Sequence, residues 1–214
     1  MKAHILVIAA LMLWASCVRT NLSWTAREKT VIFKSSPVMY VTTLPQDSTI
    51  LRAKCLEVGE KDYDSKELRT LLEKMLKTVT DPSQEGVGIA APQVGINRRI
   101  VLVQRLDKED EPFEAYVNIQ IDSLWGDIVV LEEGCLSVPA QRGPVPRHGN
   151  VKISYIRDGK RVSECVEGYT ARIFQHECDH LDGILYIDRA LEVFTDTTWA
   201  AQRENFTYER PEWF

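Results

Sequence analysis

Two histidines held four residues apart, in the run His176-Glu177-Cys178-Asp179-His180, constrain this chain more than any other feature. The spacing brings both imidazoles onto one face of an α-helix with a carboxylate beside them. That is the geometry of a catalytic divalent-metal site. Two imidazoles leave such an ion short of ligands, so the fold has to deliver a third donor and still leave a position open for water. Glu177 is placed to act as a base toward that water. A surface helix with two chance histidines is the alternative, and two further segments weigh against it.

The first is Glu132-Glu133-Gly134-Cys135-Leu136-Ser137-Val138-Pro139. Gly134 permits a tight bend, and Cys135 can present a thiolate, which would complete a set of one Cys and two His ligands. A free cysteine is more often a small buried hydrophobe, but this one lies in a glycine-containing, acidic segment. The second is Gly86-Val87-Gly88-Ile89-Ala90-Ala91-Pro92-Gln93-Val94-Gly95, which reads as a loop lining a site. Gln93 can donate an amide hydrogen bond to a developing oxyanion without changing its own charge. The same loop satisfies a loose GxGxxA dinucleotide pattern, with Asp107 at the distance of a ribose-binding acid. The polar string Thr80 to Glu85 before it is no buried strand, however, and Pro92 interrupts the helix that pattern requires.

Composition narrows the class. The chain has 214 residues, 44% hydrophobic and 27% charged, enough to bury a sizeable core in one domain. A net charge of −5 without a basic cluster argues against a specific nucleic-acid partner. Five scattered cysteines, odd in number and without a CxxC pair, make a poor disulfide framework and leave one available as a ligand.

Lys2, the apolar stretch Ile5 to Trp14 and the string Ala15-Ser16-Cys17 follow the order of a secretory signal over residues 1–20, too short to span a bilayer. The same string resembles the end of a bacterial lipoprotein signal, with Cys17 as the lipidated residue. The chain is then exported or lipid-anchored, and a membrane is a partner only through Cys17. A start at Met39 is the alternative, and makes the protein cytoplasmic.

Residues 21–38 read as a loosely attached arm, 39–192 as one domain and 193–214 as a polar, aromatic tail. Leu68, Leu71, Leu72, Met75, Leu76 and Val79 recur at helical spacing after an Asp64/Glu67 capping box and stop at Asp81-Pro82. Ile100 to Val103, Ala115 to Ile121, Ile128 to Leu131 and Val151 to Ile156 are β-prone, and Asp158-Gly159 turns the last toward Val162 to Val166. Antiparallel pairing is expected rather than βαβ repetition. A second helix spans Tyr169 to Leu181, stops at Asp182-Gly183 and carries both histidines, with Cys178 on another face, in the core.

Gly86–Gly95, Glu133–Val138 and Gln175–His180 together resemble the three signature motifs of peptide deformylases, in order, within residues 40 to 190. The resemblance implies an enzyme that removes the N-formyl group from N-terminal formyl-methionine, releasing formate. It implies an α+β fold in which antiparallel β-strands surround a central helix carrying the HExxH motif. Cys135, His176 and His180 are then the metal ligands, Glu177 the general acid/base, and Gln93 with the Leu136 backbone N–H the oxyanion donors. Gly88 and Gly134 become docking points for the N-formyl-methionyl peptide, and Arg142 and Arg147 support the loop, with structural ion pairing and a substrate role as equal alternatives. The resemblance favours one Fe²⁺; Zn²⁺ or another divalent ion also suits the ligand types. Oligomeric state is not set by any of these features.

Two rivals share the histidine spacing. A zinc protease would take its third ligand downstream, where Asp188 and Glu192 are available, and a binding protein would keep the metal structurally. Cys135 in its motif speaks against the first, and Glu177 with Gln93 against the second.

Overall fold

The computed structural model describes residues 23–84, 86–198 and 210–214. The expected signal and Cys17 lie outside these residues. No helix among them is long and apolar enough to cross a membrane.

Among the described residues, one antiparallel sheet carries strands β1 (Gly88–Ala90), β2 (Ile100–Gln104), β3 (Phe113–Cys135), β4 (Val138–Arg157) and β5 (Lys160–Glu167) in sequence order. A short β6 (Phe194–Thr195) pairs with β4 at Gln141 and Arg142. The helices are α1 (Ala26–Lys34), α2 (Ser48–Leu51), α3 (Lys66–Val79) and α4 (Gly168–Leu181). Tyr116, Ile153, Tyr155 and Val166 of the sheet pack with Ala171, Phe174 and Leu181 of α4 in one core cluster. A second cluster joins α1 and α3 to Ile89, Ile100 and Leu102.

The two strand segments expected at 115–121 and 128–131 are one strand. β4 pairs along both, and register shifts at Val117/Gln120, Ile121/Ser123 and Trp125/Ile128 absorb the irregular stretch between them. Gly126, at φ +81°, takes a left-handed conformation there. β4 likewise begins well before Val151, running through Pro144 and Pro146. The Pro144 carbonyl accepts the Leu191 N–H, so this parity of the strand faces away from β3, where a missing N–H costs no ladder bond.

Asp158 and Gly159, at φ +50° and +71°, form the expected hairpin turn into β5. α3 starts from Ser65 rather than Asp64: the Ser65 side chain accepts the Leu68 N–H, and Glu67 lies inside the first turn. α4 ends at Leu181, where Gly183 at φ +73° lies so close to the Arg52 backbone that a side chain would collide with it.

The segment expected as a loose arm is a docked helix. Thr25 and Glu28 form a capping box at the start of α1, and Trp24, Val31 and Ile32 are buried. Arg98 donates to both Glu28 oxygens at 2.5 and 2.9 Å, and stacks over Trp24. Burial would raise the Glu28 carboxyl, but the hydrogen bonds from Arg98 and Thr25 outweigh it and lower it below 4.5. This pair therefore stabilises the fold fully above pH 4.5, and the contribution is lost as pH falls through the folded-state value. Arg98→Met leaves a buried carboxylate unpaired and is expected to cost about 3 kcal/mol, lowering Tm by roughly 10 °C. Glu28→Gln is expected to flatten the acid limb of a Tm-versus-pH series.

Candidate active site

Three elements meet at the site. β3 delivers Glu133, Gly134 and Cys135, the two-residue turn Leu136-Ser137 reverses the chain into β4, and α4 delivers His176, Glu177 and His180. The third side is the Gly86–Gly95 segment, which is not a plain loop: it forms β1 and then a one-turn 3₁₀ helix, Ala91–Val94. A cavity of about 570 Å³ opens between them, lined among others by Gly88, Gln93, Leu136, Arg142, His176 and Glu177.

One ligand atom from each of Cys135, His176 and His180 lies within 4.8 Å of the others, and Cys135 Sγ is 3.3 Å from His180 Nε2. One thiol and two imidazoles converging this closely form a donor set that suits a Zn²⁺- or Fe²⁺-type ion. His176 Nδ1 lies 2.9 Å from Glu133 Oε2, which holds the proton on Nδ1 and turns Nε2 toward the other donors. Imidazole rings of His176 and His180 are 5.2 Å apart, and Tyr186 stacks on His176 at 6.2 Å.

Glu177 is 4% exposed, and its Oε2 has no hydrogen-bond partner among the described residues. Burial pushes its carboxyl up to about 7, with the His176 and Arg147 charges opposing. Gly88 makes this position reachable: a Cβ there would lie 2.6 Å from Glu177 Oε1 and 2.9 Å from Ile173 Cγ2. Gly134 is different. Its backbone is ordinary extended strand, and a Cβ would find its nearest neighbour at 3.7 Å, so the bend expected at Gly134 falls instead at Leu136-Ser137.

The Ala90 N–H donates to Gln93 Oε1 at 2.8 Å. That bond orients the amide so that Nε2 faces the site, 3.5 Å from Cys135 Sγ. Cys178 is buried in the core as expected, and burial pushes its thiol well up.

The profile of the family described as Polypeptide deformylase matches residues 38–194. The chain belongs to the peptide deformylase family. The peptide deformylase of Desulforudis audaxviator is 41% identical over 138 residues, 63% of this chain and 88% of that protein. That of Halothermothrix orenii is 41% identical over 145 residues, 67% and 89%. Among solved structures, a Met-Ala-Ser-bound class I type b peptide deformylase from Acinetobacter baumannii aligns at TM-score 0.64 and 37% identity, covering 71% of this chain and 98% of that one. Its actinonin-bound form aligns at 0.64 and 37%, covering 72% and 99%. The fold is peptide deformylase-like, with an antiparallel sheet and few helices.

In this family member, the residues that hold the site are charges the sequence reading left without a definite role. Arg147 grips Glu133 through two bonds of 2.6 and 2.9 Å, and Arg172 adds a third at 2.5 Å. Arg147 also reaches Asp179 at 2.8 Å, and Asp179 is held in turn by Arg189 at 2.6 and 2.7 Å. Burial alone would raise the Glu133 carboxyl; the bonds and charges of His176 and Arg147 overturn this and hold it far below the usual carboxylate range. Arg147 is thus an ion-pairing residue, whereas Arg142 lines the cavity 3.9 Å from Glu132 and 3.7 Å from Asp196. The one local signal for the network was Arg172, a helical turn before His176 on the same face of α4.

Glu133→Gln removes the carboxylate charge from His176 and from the buried Arg147 and Arg172 guanidiniums, leaving Arg147 with Asp179 and Arg172 with backbone carbonyls alone. It is expected to weaken metal affinity about 10–100-fold and to lower stability by about 3 kcal/mol. A chelator-competition titration and a thermal melt read the two effects separately.

Proposed function

We propose that residues 39–192 form a catalytic domain that removes the formyl group from N-terminal formyl-methionine of peptides, with Fe²⁺ as the native ion. The observation that carries this reading is the convergence on one cavity of the Cys135, His176 and His180 donors with a buried Glu177 carboxyl, whose Oε2 has no partner among the described residues, and the Gln93 amide. The likeness to a relative holding Met-Ala-Ser supports an N-terminal peptide as substrate. Burial of α4 on nearly every face supports the arrangement in which the strands surround this helix.

Cys135, His176 and His180 would hold the ion. When bound, it would supply the Lewis acidity that lowers the pKa of water. Glu177 would take a proton from the attacking water, whose oxygen forms a bond to the formyl carbon. A carboxyl near 7 is suited to accept a proton and give it back at neutral pH. As negative charge grows on the former carbonyl oxygen, the Gln93 amide and the Leu136 N–H donate to it. The C–N bond then breaks, Glu177 returns its proton to the leaving amine, and formate is released. Gly88 and Gly134 offer backbone without side chains where the peptide docks. Residues 1–20 would export the chain, or anchor it through Cys17, so that it acts on formylated peptides outside the compartment of translation.

The test is formate release from formyl-Met-Ala-Ser by the full chain loaded anaerobically with Fe²⁺, with acetyl-Met-Ala-Ser as comparison. Release from the formyl peptide alone is expected. A folded, metal-loaded protein that cleaves an internal peptide bond and frees no formate would shift the reading to the protease.

A further inference from the structure

The aromatic tail returns to the active-site segment from behind. Gly95 ends the one-turn helix that carries Gln93, at φ +83°, and the Phe214 ring lies so close to it that any side chain at Gly95 would collide with the ring. Tyr40 packs edge-on against Phe214 at 5.0 Å. The Arg27 guanidinium lies 5.5 Å from the ring centre and donates to the Gly95 carbonyl at 3.2 Å. Arg210 stacks over the same ring at 5.5 Å and pairs with Asp47 at 3.1 Å. Asp47 in turn accepts from the Tyr40 hydroxyl and the Thr43 N–H.

These contacts bracket the backbone that holds Gln93. A single 3₁₀ turn has few bonds of its own. This one is tied by Thr42, which donates its N–H to the Gln93 carbonyl at 2.8 Å and its hydroxyl to the Pro92 carbonyl at 3.0 Å. Phe214 is wedged between the end of the turn, at Gly95, and Tyr40, two residues before Thr42. Both strands of that tie lean on one ring.

We propose that Phe214 is a positioning residue for deformylation, fixing the Gln93 amide by clamping Gly95 against the Tyr40–Thr42 segment. The proposal rests on the reading of Gln93 as an oxyanion donor. The ring touches no substrate; removing it lets the turn relax toward the space left behind. Small displacements of a catalytic group cost up to about 10²-fold, so Phe214→Ala is expected to lower kcat roughly tenfold. KM and metal per chain are expected to stay within about twofold, since neither the ligands nor Gly88 is touched.

The experiment compares full-length wild type, Phe214→Ala, Phe214→Tyr, Gln93→Ala and the double variant Gln93→Ala/Phe214→Ala, loaded with Fe²⁺ and assayed on formyl-Met-Ala-Ser. Phe214→Tyr, which keeps the ring, is expected to retain kcat. In the Gln93→Ala background, removal of Phe214 should cost little more, because the group it positions is gone. Amide exchange supplies a second readout: the Ile96 N–H, bonded to Ala91 at 3.0 Å, should exchange faster in Phe214→Ala. An unchanged kcat, or an equal loss with and without Gln93, overturns the proposal. If Phe214→Ala does not fold, Phe214→Leu is judged by the same criteria. If the wild type releases no formate, the functional reading fails, and Ile96 exchange alone then decides whether Phe214 clamps the turn.

Discussion

Glu177→Ala is expected to reduce formate release by about 10²–10⁴-fold while leaving bound metal per chain unchanged. Both halves follow from the geometry. The Glu177 carboxyl belongs to the same helical turn as the ligands yet is not among the three converging donors, and its Oε2 has no partner among the described residues. On the proposed mechanism, removing it deletes the group that carries the proton and none of the three donors proposed to hold the ion. Metal analysis beside a formate assay on the same sample separates the two effects. Loss of metal together with activity would make Glu177 a ligand.

Cys135→Ser is expected to act in the opposite order. A hydroxyl is a poor donor at neutral pH where a thiolate is a strong one, so metal affinity should fall by more than the roughly 10–100-fold attributed to a supporting residue. Turnover should follow metal occupancy downward and recover in part at high metal concentration. The fold is not expected to suffer, because Cys135 is only partly buried and its neighbours are held by Glu133 and Arg147. With Co²⁺, the thiolate-to-metal absorption of the wild type should vanish in the variant. Unchanged metal content would remove Cys135 from the ligand set and reopen Asp188 and Glu192 as donors.

Much of this site was legible because its information is local. The spacing of His176 and His180 needs only a helix, the alternation of Val151 to Ile156 only a strand, and the Asp158-Gly159 pair only a hairpin turn. What escaped was long-range. Glu133 finds Arg172 39 residues away, and Glu28 finds Arg98 70 residues away. Nothing in the periodicity of either segment marks such pairs. The continuity of β3 was hidden by Asp122, Ser123, Gly126 and Asp127, which interrupt the β-prone pattern and are held in the strand by pairing with β4. α1 was missed although Thr25-Ala26-Arg27-Glu28 is a capping-box sequence, since its short apolar pattern offered no support for a helix. Phe214 reads as an ordinary tail aromatic until the fold sets it against Gly95.

The most direct measurement is a stoichiometric titration of the metal-free full chain with Fe²⁺ under anaerobic conditions, following formate release from formyl-Met-Ala-Ser at each step. The account predicts activity that rises linearly and stops at one ion per chain, with the same end point in a Co²⁺ titration read through the thiolate absorption. Formate release that is full before any metal is added, or that shows no break at one equivalent, would contradict a single metal centre at Cys135, His176 and His180.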